Sequence, residues 1–405
     1  MSGAVKFAVV GLGGYGRSHL QSAADIESDG LGVLDAVVCI DPENHPDKLA
    51  DYNERGVRVF STLDDLIQAD GIDVITLPIG IHDHVRLSQK CLEAGYHVIV
   101  EKPLAGAVQD ADHLIDVRDR TGQTILIGYQ HLYSLTIQGL KERVLDGRLG
   151  KIRMARLKAS WPRGDQYYSR NPWAGTRKRD GVWTLDSPIN NALAHYLTNI
   201  FYLCSDSADD PCGITSVQAE LYRAWDIENL DTACLRVETD SDTTALIAMS
   251  HTAGENFGPI MDLECENGTV HWTTGSGEIT YTSGEREILE DGDDRMRTGP
   301  WRNMVNALQN GERIISSLEV GRSQTLCING AHESCPEVHP FPEAEIETVM
   351  HDQGKFLVVN GLRDLLHQSA DEGKLFSELG VAWAEGSEVY GLAGYNHFPA
   401  SESDG

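Results

Sequence analysis

The first third of the chain alternates short runs of β-branched residues with amphipathic stretches of helical period. Apolar runs bounded by turn-forming residues predict strands, and apolar positions three or four residues apart predict helices. The predicted strands are 7–10, 34–40, 57–60, 74–77, 97–100 and 124–127. The predicted helices are 16–25, 63–69, 85–94 and 110–121. Strands joined by crossover helices are typical of the doubly wound parallel sheet of an α/β nucleotide-binding domain.

The pattern changes after Gln130 to longer helical stretches and to runs in which apolar and polar residues alternate. The alternating runs are 217–222, 232–239, 244–250 and 269–272, and turn-forming residues separate them. Such runs with short connections predict an antiparallel sheet with one face open to solvent or to a partner. An open face of this kind favours self-association of the chain.

Three glycines follow the first predicted strand and open the first predicted helix, in VVGLGGYGRSHL. Gly11 allows a tight turn, Gly13 lets the backbone approach a pyrophosphate, and Gly16 lets helix and strand pack closely. The helix N terminus then presents its amides to the phosphates. Together with Gly14 and Tyr15, these residues predict a dinucleotide site. A purely structural glycine turn is less favoured, because the strand, the helix and the following strand are all in place.

Asp41 ends the second predicted strand, in VVCIDPE. A carboxylate at this position binds the ribose hydroxyls and repels a 2′-phosphate, so the sequence favours NAD over NADP. Two alternatives remain open. Asp41 could only cap the turn before Pro42, and Arg17 could bring a positive charge near a phosphate, which keeps NADP possible.

Glu101, Lys102 and Pro103 lie at the carboxyl end of the fifth predicted strand, in HVIVEKPLA. Ligands of open α/β sheets bind outside the carboxyl ends of the strands, so we expect Lys102 to project into the cofactor cleft. A desolvated lysine in such a place can act as a base. The alternative is a surface ion pair between Glu101 and Lys102. Gln130 follows the sixth predicted strand and is expected to approach the nicotinamide.

Taken together, these motifs resemble those of the Gfo/Idh/MocA oxidoreductases. The resemblance rests on GLGGYGRSH, Asp41, Pro78 with His84, EKPL and DGVWTLDSPINNALAH, and it extends to SLEVGRSQTLCINGAHES. It implies a Rossmann domain followed by an α/β domain built on a large, mostly antiparallel sheet. It also implies that Lys102 touches both the substrate hydroxyl and the nicotinamide. Pro78 and His84 would then lie against the cofactor, which disfavours a metal site at His82 and His84.

One position departs from the family pattern. Members usually carry Asp-x-x-x-His on the helix that faces the nicotinamide, and aligning that Asp with Asp186 places Asn190 where the His is expected. An asparagine can orient a hydroxyl by donating and accepting hydrogen bonds, but it cannot shuttle a proton near pH 7. Asp186 and Asn190 are therefore expected to hold the substrate hydroxyls.

His195 is the candidate for an imidazole that assists Lys102. Ser187 and Pro188 predict the N-cap and the first residue of a helix. On one continuous helix His195 lies four residues after Asn191 and shares its face, whereas Asn190 lies on a neighbouring face. The alternative is that His195 is a hydrogen-bonded core histidine.

Residues 141–180 carry twelve basic and four acidic side chains. Within them, WPRGDQYYSRNPWAG holds the candidate substrate-binding residues Trp161, Arg163, Tyr168, Arg170 and Trp173. Aromatic faces stack on sugars, and Arg side chains bind hydroxyls, carboxylates or phosphates. We expect a loop that shapes the substrate pocket. An oligomer interface, where Trp, Tyr and Arg are also enriched, is an equal alternative.

The whole chain is strongly acidic, with 62 Asp and Glu against 33 Lys and Arg and a net charge of −29. This balance disfavours nucleic acid and anionic membranes as partners. The eight cysteines are scattered singly without zinc-ligand spacing, so we expect reduced thiols in a cytoplasmic protein and no metal. Neither a secretory signal nor a membrane-spanning stretch is recognisable in the sequence.

The resemblance implies an NAD(P)-dependent oxidoreductase that transfers a hydride between nicotinamide and a secondary alcohol of a sugar, inositol or related polyol. Residues 1–130 would form the dinucleotide-binding Rossmann domain. Residues 131–405 would form a substrate-binding and oligomerisation domain with a C-terminal extension, assembling as a dimer or tetramer. Two alternatives are an NAD-retaining, redox-assisted glycosidase of the same fold and a non-catalytic NAD or sugar sensor. The intact Glu-Lys-Pro sequence disfavours the sensor, which needs no base.

Overall fold

A computed structural model describes residues 3–292 and 296–402 of the chain. These residues form two compact units. The first comprises the described residues within Met1–Ala105, Asp110–Tyr133 and Asp294–Gly321. The second comprises those within Gly106–Gln109, Ser134–Asp293 and Arg322–Gly405.

The elements are numbered in chain order. The strands are β1 Val5–Val10, β2 Gly32–Val38, β3 Arg58–Phe60, β4 Val74–Leu77, β5 His97–Val100, β6 Ile125–Ile127, β7 Ile152–Ser160, β8 Lys178–Arg179, β9 Val182–Trp183, β10 Ile214–Arg223, β11 Thr232–Thr239, β12 Thr244–Ser250, β13 Phe257–Cys265, β14 Gly268–Thr273, β15 Ser276–Tyr281, β16 Arg286–Glu290, β17 His339–Pro340, β18 Ile346–His351, β19 Gly354–Val359 and β20 Tyr390–Gly391. The helices are α1 Gly16–Ser28, α2 Pro46–Arg55, α3 Leu63–Ile67, α4 His84–Glu93, α5 Val108–Thr121, α6 Leu135–Leu145, α7 Asp165–Tyr168, α8 Ala194–Cys204, α9 Gly299–Asn310, α10 Leu318–Ser334 and α11 Leu362–Glu372. None of the helices in the described ranges is long and apolar enough to cross a membrane.

The first unit contains a six-stranded parallel sheet in the order β3-β2-β1-β4-β5-β6. The predicted doubly wound sheet is confirmed, and the connections reverse direction between β1 and β4, where ligands of such sheets bind. Helix α2 was not predicted, because its only buried residue is Tyr52 and it therefore lacks an apolar stripe.

The core of the first unit includes a segment from much later in the chain. Trp301, Met304 and Val305 of α9 belong to the same buried cluster as Phe7 of β1. The rings of Phe7 and Trp301 lie 4.7 Å apart between centroids. The compact units therefore differ from the predicted division at residue 130, because burying this tryptophan returns the segment after residue 295 to the first unit.

The second unit is built on a ten-stranded sheet in the order β16-β15-β14-β13-β7-β12-β11-β10-β17, with β20 beside β10. The β12–β7 and β10–β17 pairs are parallel and the other pairs are antiparallel. The expected large, mostly antiparallel sheet is confirmed. The basic segment 141–180 is not one loop, since it contributes the end of α6 and the central strand β7 before the irregular stretch begins at Trp161.

The two faces of this sheet have different covers. Tyr196 of the fully buried helix α8 contacts Trp272 on one face, at 6.2 Å between ring centroids. On the opposite face, α11 packs on β7 and β12, and Leu366 joins a cluster with Leu246 and Ala248. The expectation of an open face is therefore wrong for these central strands. Helix α11, which lies in the C-terminal extension of the chain, covers that face.

This cover predicts a large effect of truncating Leu366, which is 0% exposed. Leu366→Ala is expected to lower the free energy of unfolding by about 2–5 kcal/mol, because it removes buried methyl groups and leaves a cavity. Leu135→Ala is the matched control, since Leu135 is 56% exposed in the same unit, and a change within about 0.5 kcal/mol is expected. Urea unfolding followed by tryptophan fluorescence measures both. Equal losses in the two variants would contradict the packing described here.

Candidate functional site

The glycine loop between β1 and α1 leaves an open cradle. Gly11 has φ +98°, a conformation that side chains rarely adopt. A Cβ on Gly16 would lie 2.3 Å from the Gly11 carbonyl oxygen, so only glycine lets α1 start against the strand. A Cβ on Gly13 or Gly14 would meet nothing within 4 Å. Tyr15, the N-cap residue of α1, makes no side-chain capping hydrogen bond. The cradle therefore fits the pyrophosphate of NAD, and the helix N terminus faces it.

Asp41 lies beyond the carboxyl end of β2. It precedes a short 3₁₀ turn, but its carboxylate accepts no backbone N–H of that turn. Its Oδ2 accepts a hydrogen bond of 3.2 Å from the Asn44 amide, and the side chain is 41% exposed. The interpretation of Asp41 as only a cap is therefore not supported, and the carboxylate remains accessible to ribose hydroxyls. Ile40 beside it is 82% exposed, an apolar surface that the sequence analysis missed.

The loop that carries Lys102 is hydrogen-bonded to His84, the first residue of α4. The Nδ1 atom of His84 lies 2.6 Å from the Pro103 carbonyl oxygen, and Nε2 lies 3.2 Å from the Ile79 carbonyl oxygen. His84 is 1% exposed, and this burial lowers its pKa, so the imidazole stays neutral. A neutral imidazole carries one N–H, which the shorter distance assigns to the Pro103 carbonyl, so His84 is hydrogen-bonded to the loop that follows β5 and lies against the loop that follows β4. This geometry gives it a positioning role, while Pro78, at the end of β4, stays partly exposed.

A second support of the Lys102 loop was not assigned from sequence. His19 of α1 places Nε2 3.0 Å from Glu101 Oε1, and Glu101 Oε2 accepts the Lys102 backbone N–H at 3.2 Å. A Cβ on Gly128 would lie 2.5 Å from Glu101 Oε1, so the carboxylate fills space that only glycine leaves. His19 and Glu101 are 5% and 8% exposed. The helix of the glycine loop and the lysine loop are therefore joined by one buried hydrogen-bonded pair.

A small pocket of the first unit lies beside this pair. It is lined by Tyr15, Ser18, His19, Ser22, Ile99, Glu101, Gly128, Gln130, Arg297, Pro300 and Trp301. The Tyr15 hydroxyl donates to Gln130 Oε1 at 3.2 Å, so two predicted cofactor residues meet here. Loss of hydration around the hydroxyl and then the nearby Glu101 carboxylate raise the pKa of the Tyr15 phenol and keep it a donor, although the residue as a whole is 44% exposed. Arg297 and Trp301 were missed, because no local pattern connects them with a glycine loop so far away in the sequence.

In the second unit, Asp186 is the centre of a buried hydrogen-bond network. Its side chain is 2% exposed. Oδ2 accepts the Gly175 backbone N–H at 2.7 Å, and Oδ1 accepts from the Asn191 amide at 2.7 Å. Arg170 lies 3.9 Å from Oδ2. Both oxygens of the Asp186 carboxylate therefore accept hydrogen bonds from within residues 175–191, and these bonds hold that loop in one conformation.

The Asn190 side chain is also hydrogen-bonded within the protein. Its amide donates to the Thr184 carbonyl oxygen at 2.9 Å and accepts from Gln324 Nε2 at 3.0 Å, and the residue is 0% exposed. Ser187 is the predicted N-cap, since its side chain accepts the Asn190 N–H at 3.2 Å. These bonds favour a positioning role for Asn190 over contact with substrate.

The helix after Ser187 is not continuous, so the predicted common face of Asn191 and His195 is wrong. A π-helical turn spans Pro188–Ala192, Leu193 has φ −112° and ψ 7°, and α8 begins at Ala194. The interruption changes the angle between the residues before and after it. His195 lies in the first turn of α8 and is 7% exposed.

The aromatic and basic stretch after β7 is partly buried. Arg170 lies 3.5 Å above the ring centroid of Tyr167 and 5.2 Å from that of Trp173. Tyr168 packs on Trp225 at 5.4 Å between centroids, and burial holds the pKa of its phenol well above the usual value. Tyr168 therefore has a packing role. Tyr167, which was not predicted, is the ring on which the basic side chains rest.

Two family models match the chain. Residues 5–129 match the Gfo/Idh/MocA model described as an oxidoreductase family with an NAD-binding Rossmann fold. Residues 137–271 match the model of the Gfo/Idh/MocA C-terminal domain. Together the two matches cover more than half of the chain.

Among curated relatives, the chain is 22% identical over 268 residues to 4-carboxy-2-hydroxymuconate-6-semialdehyde dehydrogenase of Sphingobium sp., covering 65% of this chain and 78% of the relative. It is 25% identical over 160 residues to myo-inositol 2-dehydrogenase of Thermotoga maritima, covering 39% of this chain and 46% of the relative. The match therefore spans about half the length of that inositol dehydrogenase.

Among solved structures, the WlbA dehydrogenase from Bordetella pertussis, in complex with NADH and UDP-GlcNAcA, aligns with a TM-score of 0.66 and 22% identity over 82% of this chain and 96% of that chain. Levoglucosan dehydrogenase, in complex with NADH and levoglucosan, aligns with a TM-score of 0.71 and 14% identity over 82% of this chain and 97% of that chain. At these identities the likeness shows the fold.

Two glycine variants separate binding from folding in the cradle. Gly13→Ala is expected to leave the melting temperature unchanged but to weaken NADH binding by about tenfold or more, since its methyl group lies where the pyrophosphate approaches. Gly16→Ala is expected to lower stability by about 1–3 kcal/mol, because its methyl group overlaps the Gly11 carbonyl. Thermal melting and NADH fluorescence titration measure both effects. Unweakened NADH binding by Gly13→Ala would remove this loop from the cofactor site.

Proposed function

Because the chain belongs to the Gfo/Idh/MocA family of NAD-binding oxidoreductases, we propose that it transfers a hydride between NAD and a secondary alcohol of a sugar, inositol or related polyol. The observation that carries the proposal is the support of the Lys102 loop by His84 and by the Glu101–His19 pair, next to a glycine cradle open enough for a pyrophosphate. The names of the relatives support the substrate class, since they include a myo-inositol and a levoglucosan dehydrogenase.

Bound NAD supplies the nicotinamide that accepts the hydride from the carbinol carbon or returns it. The protein moves the accompanying proton. In our proposal Lys102 Nζ takes the proton of the substrate hydroxyl as the alcohol becomes a carbonyl, and it returns the proton in the reverse direction. Glu101 and His84 keep the lysine backbone in one position, so that proton transfer occurs from a fixed geometry.

The residues of the second unit take different roles in this proposal. Asp186 and Asn190 position the loop in which they lie, because their side chains are hydrogen-bonded to Gly175, Asn191 and Thr184 of that loop, and Asn190 also to Gln324. His195 remains the proposed imidazole that assists proton movement. The role of Asp186 and Asn190 differs from the hydroxyl contacts expected from the aligned motif, since the Asn190 amide is 0% exposed and both its nitrogen and its oxygen are hydrogen-bonded within the protein.

The proposal includes a cellular setting. We propose a cytoplasmic enzyme, supported by eight cysteines that form no disulfide among the described residues. We also propose self-association as a dimer or tetramer. The exposed part of β13 to β15, beyond the contact of Phe257 with His367 of α11, supports it, and it carries charged side chains such as Glu264 and Glu278.

Lys102→Ala tests the proposed acid and base. The variant is expected to bind NADH with unchanged affinity and to lose at least ~10²-fold in turnover, the range for a general acid or base. Lys90→Ala is the control, because Lys90 pairs only with Asp64 on the surface of the same unit. The substrate comes from a screen of sugars, inositols and sugar acids followed by NADH fluorescence, with glycosides included to detect hydrolysis without net NADH. Full turnover by Lys102→Ala would overturn the assignment.

Asp41→Ala tests the choice between NAD and NADP. Loss of the carboxylate removes the ribose contact and the repulsion of a 2′-phosphate, so the ratio of NADPH to NADH dissociation constants is expected to fall by roughly tenfold. Asp47→Ala, in the first turn of α2, is the control for a general change of charge. If the ratio is the same in Asp41→Ala and in the unaltered protein, Asp41 does not bind the ribose.

A further inference from the structure

Arg163 projects from a rigid part of the second unit. It follows strand β7, and its backbone N–H donates to the His251 carbonyl oxygen at 3.0 Å. The preceding Trp161 N–H donates to the Ser250 carbonyl oxygen at 3.0 Å. A Cβ on the following Gly164 would lie 2.9 Å from the Lys355 carbonyl oxygen, so the chain is closely packed there. The backbone of Arg163 is therefore held in place before any ligand binds.

The guanidinium of Arg163 lies among aromatic rings and has no acidic partner among the described residues. It is 4.9 Å from the ring centroid of Tyr167 and 5.8 Å from that of Trp161. Its Nε atom is buried without a hydrogen-bond partner, and no ion pair of the described residues includes Arg163. The side chain is partly exposed, and its two Nη atoms are not among the buried unpartnered atoms, so they remain accessible to a ligand.

The basic residues of the preceding strand β7 differ from Arg163, because each of them has an acidic partner. Arg153 pairs with Glu266, Arg156 with Glu264 at 2.6 Å, and Lys158 with Asp371. In a chain with 62 acidic residues and only 33 basic ones, carboxylates are the more abundant partner. An arginine that has no carboxylate partner among the described residues of such a chain is available to bind an anionic group of a ligand.

A second cation and a neutral imidazole complete the cluster around Tyr167. Arg170 lies 3.5 Å from the ring centroid, and its carboxylate neighbour Asp186 is already bonded to Gly175 and to an amide. The His251 ring lies 5.6 Å from the Tyr167 ring. Burial and the two guanidinium groups hold the pKa of His251 well below its usual value, so it adds no charge. The charged groups that act on the Tyr167 hydroxyl are Arg163, Arg170 and Asp186, which is an excess of one positive charge at this ring.

His251 also offers an acceptor. Its Nδ1 lies 2.8 Å from the Trp161 carbonyl oxygen, so this nitrogen is the donor. In the neutral imidazole Nε2 then carries a lone pair, and this atom has no partner among the described residues although His251 is 1% exposed. A buried acceptor that is not bonded favours a hydroxyl donor beside the two arginines.

We propose that Arg163 and Arg170 bind a carboxylate, so that the substrate class is an acidic sugar, such as an aldonate or uronate, rather than a neutral polyol. A single excess positive charge matches one carboxylate better than a phosphate dianion, and a guanidinium can bind a carboxylate through two parallel hydrogen bonds. The inference rests on the proposed function, because it names the substrate class of that reaction.

The test measures binding and turnover separately. Calorimetry with D-glucuronate, D-gluconate, myo-inositol, D-glucose and inorganic phosphate gives affinities without any reaction. The unaltered protein is expected to bind an acidic sugar more tightly than the neutral compounds and phosphate. Arg163→Gln is expected to weaken binding of that acidic sugar by roughly tenfold to a hundredfold, the effect of losing a charged hydrogen bond, and to leave neutral compounds unaffected. Arg163→Lys keeps the charge and is expected to weaken binding less.

Arg153→Gln is the matched control, since it removes the same charge from an ion-paired arginine of β7. Thermal melting of each variant shows whether it folds, and Arg170→Gln is the second variant if Arg163→Gln does not. Tighter binding of phosphate or of neutral polyols, or equal losses for Arg163→Gln and Arg153→Gln, would overturn the inference. Acid binding without turnover of any alcohol would overturn the proposed oxidoreduction and leave the carboxylate site standing.

Discussion

Glu101 is a carboxylate that folding removes from water, and the first unit is arranged around the groups that compensate for it. A buried carboxylate is tolerated only when hydrogen bonds or opposite charges replace its hydration. His19 supplies one partner and the Lys102 backbone N–H supplies another, while Gly128 leaves the space. As a result, the helix that begins at the glycine cradle and the loop that carries Lys102 are bonded to the same side chain. Neither can shift without breaking a buried hydrogen bond.

The second unit follows the same physical rule at Asp186 and Asn190, and Arg163 is an exception to it. Asp186 and Asn190 are buried, and their side chains are hydrogen-bonded to the surrounding loop. These residues hold the backbone between 175 and 191 in one conformation. Arg163, a few residues earlier, is fixed by its backbone but has no carboxylate partner in the described chain. Polar side chains that are hydrogen-bonded within the fold, such as those of Asp186 and Asn190, therefore hold the backbone in its conformation. The Arg163 guanidinium, which has no carboxylate partner among the described residues, remains available to bind a ligand.

The C-terminal extension changes what the sheet of the second unit offers to partners. An alternating strand pattern leaves open what covers each face, because a helix from the same chain, a second subunit and water are all compatible with it. Here α11 and the buried Phe376 cover the central strands, and Lys158 of β7 pairs with Asp371 of α11. This cover leaves the strands from β13 onward with polar outward side chains, such as Thr269 and Glu278. Arg156 of β7 pairs there with Glu264 of β13.

The sequence by itself determined the features that depend on residues close together in the chain. The parallel strands, the glycine cradle, the position of Lys102 after β5 and the Ser187 cap all follow from local periodicity and from motifs a few residues long. Even there a limit appeared, because a π-helical turn and an α-helix share nearly the same apolar pattern and differ only in which backbone groups bond. The break at Leu193 was therefore missed.

Only the tertiary structure decided the rest. The Glu101–His19 bond joins residues 82 positions apart, and Trp301 completes a core that begins at Phe7. The lack of an acidic partner for Arg163 among the described residues likewise emerges only when the positions of distant carboxylates are known. Such contacts depend on which distant segments share one buried volume, and short-range patterns carry no information about that choice.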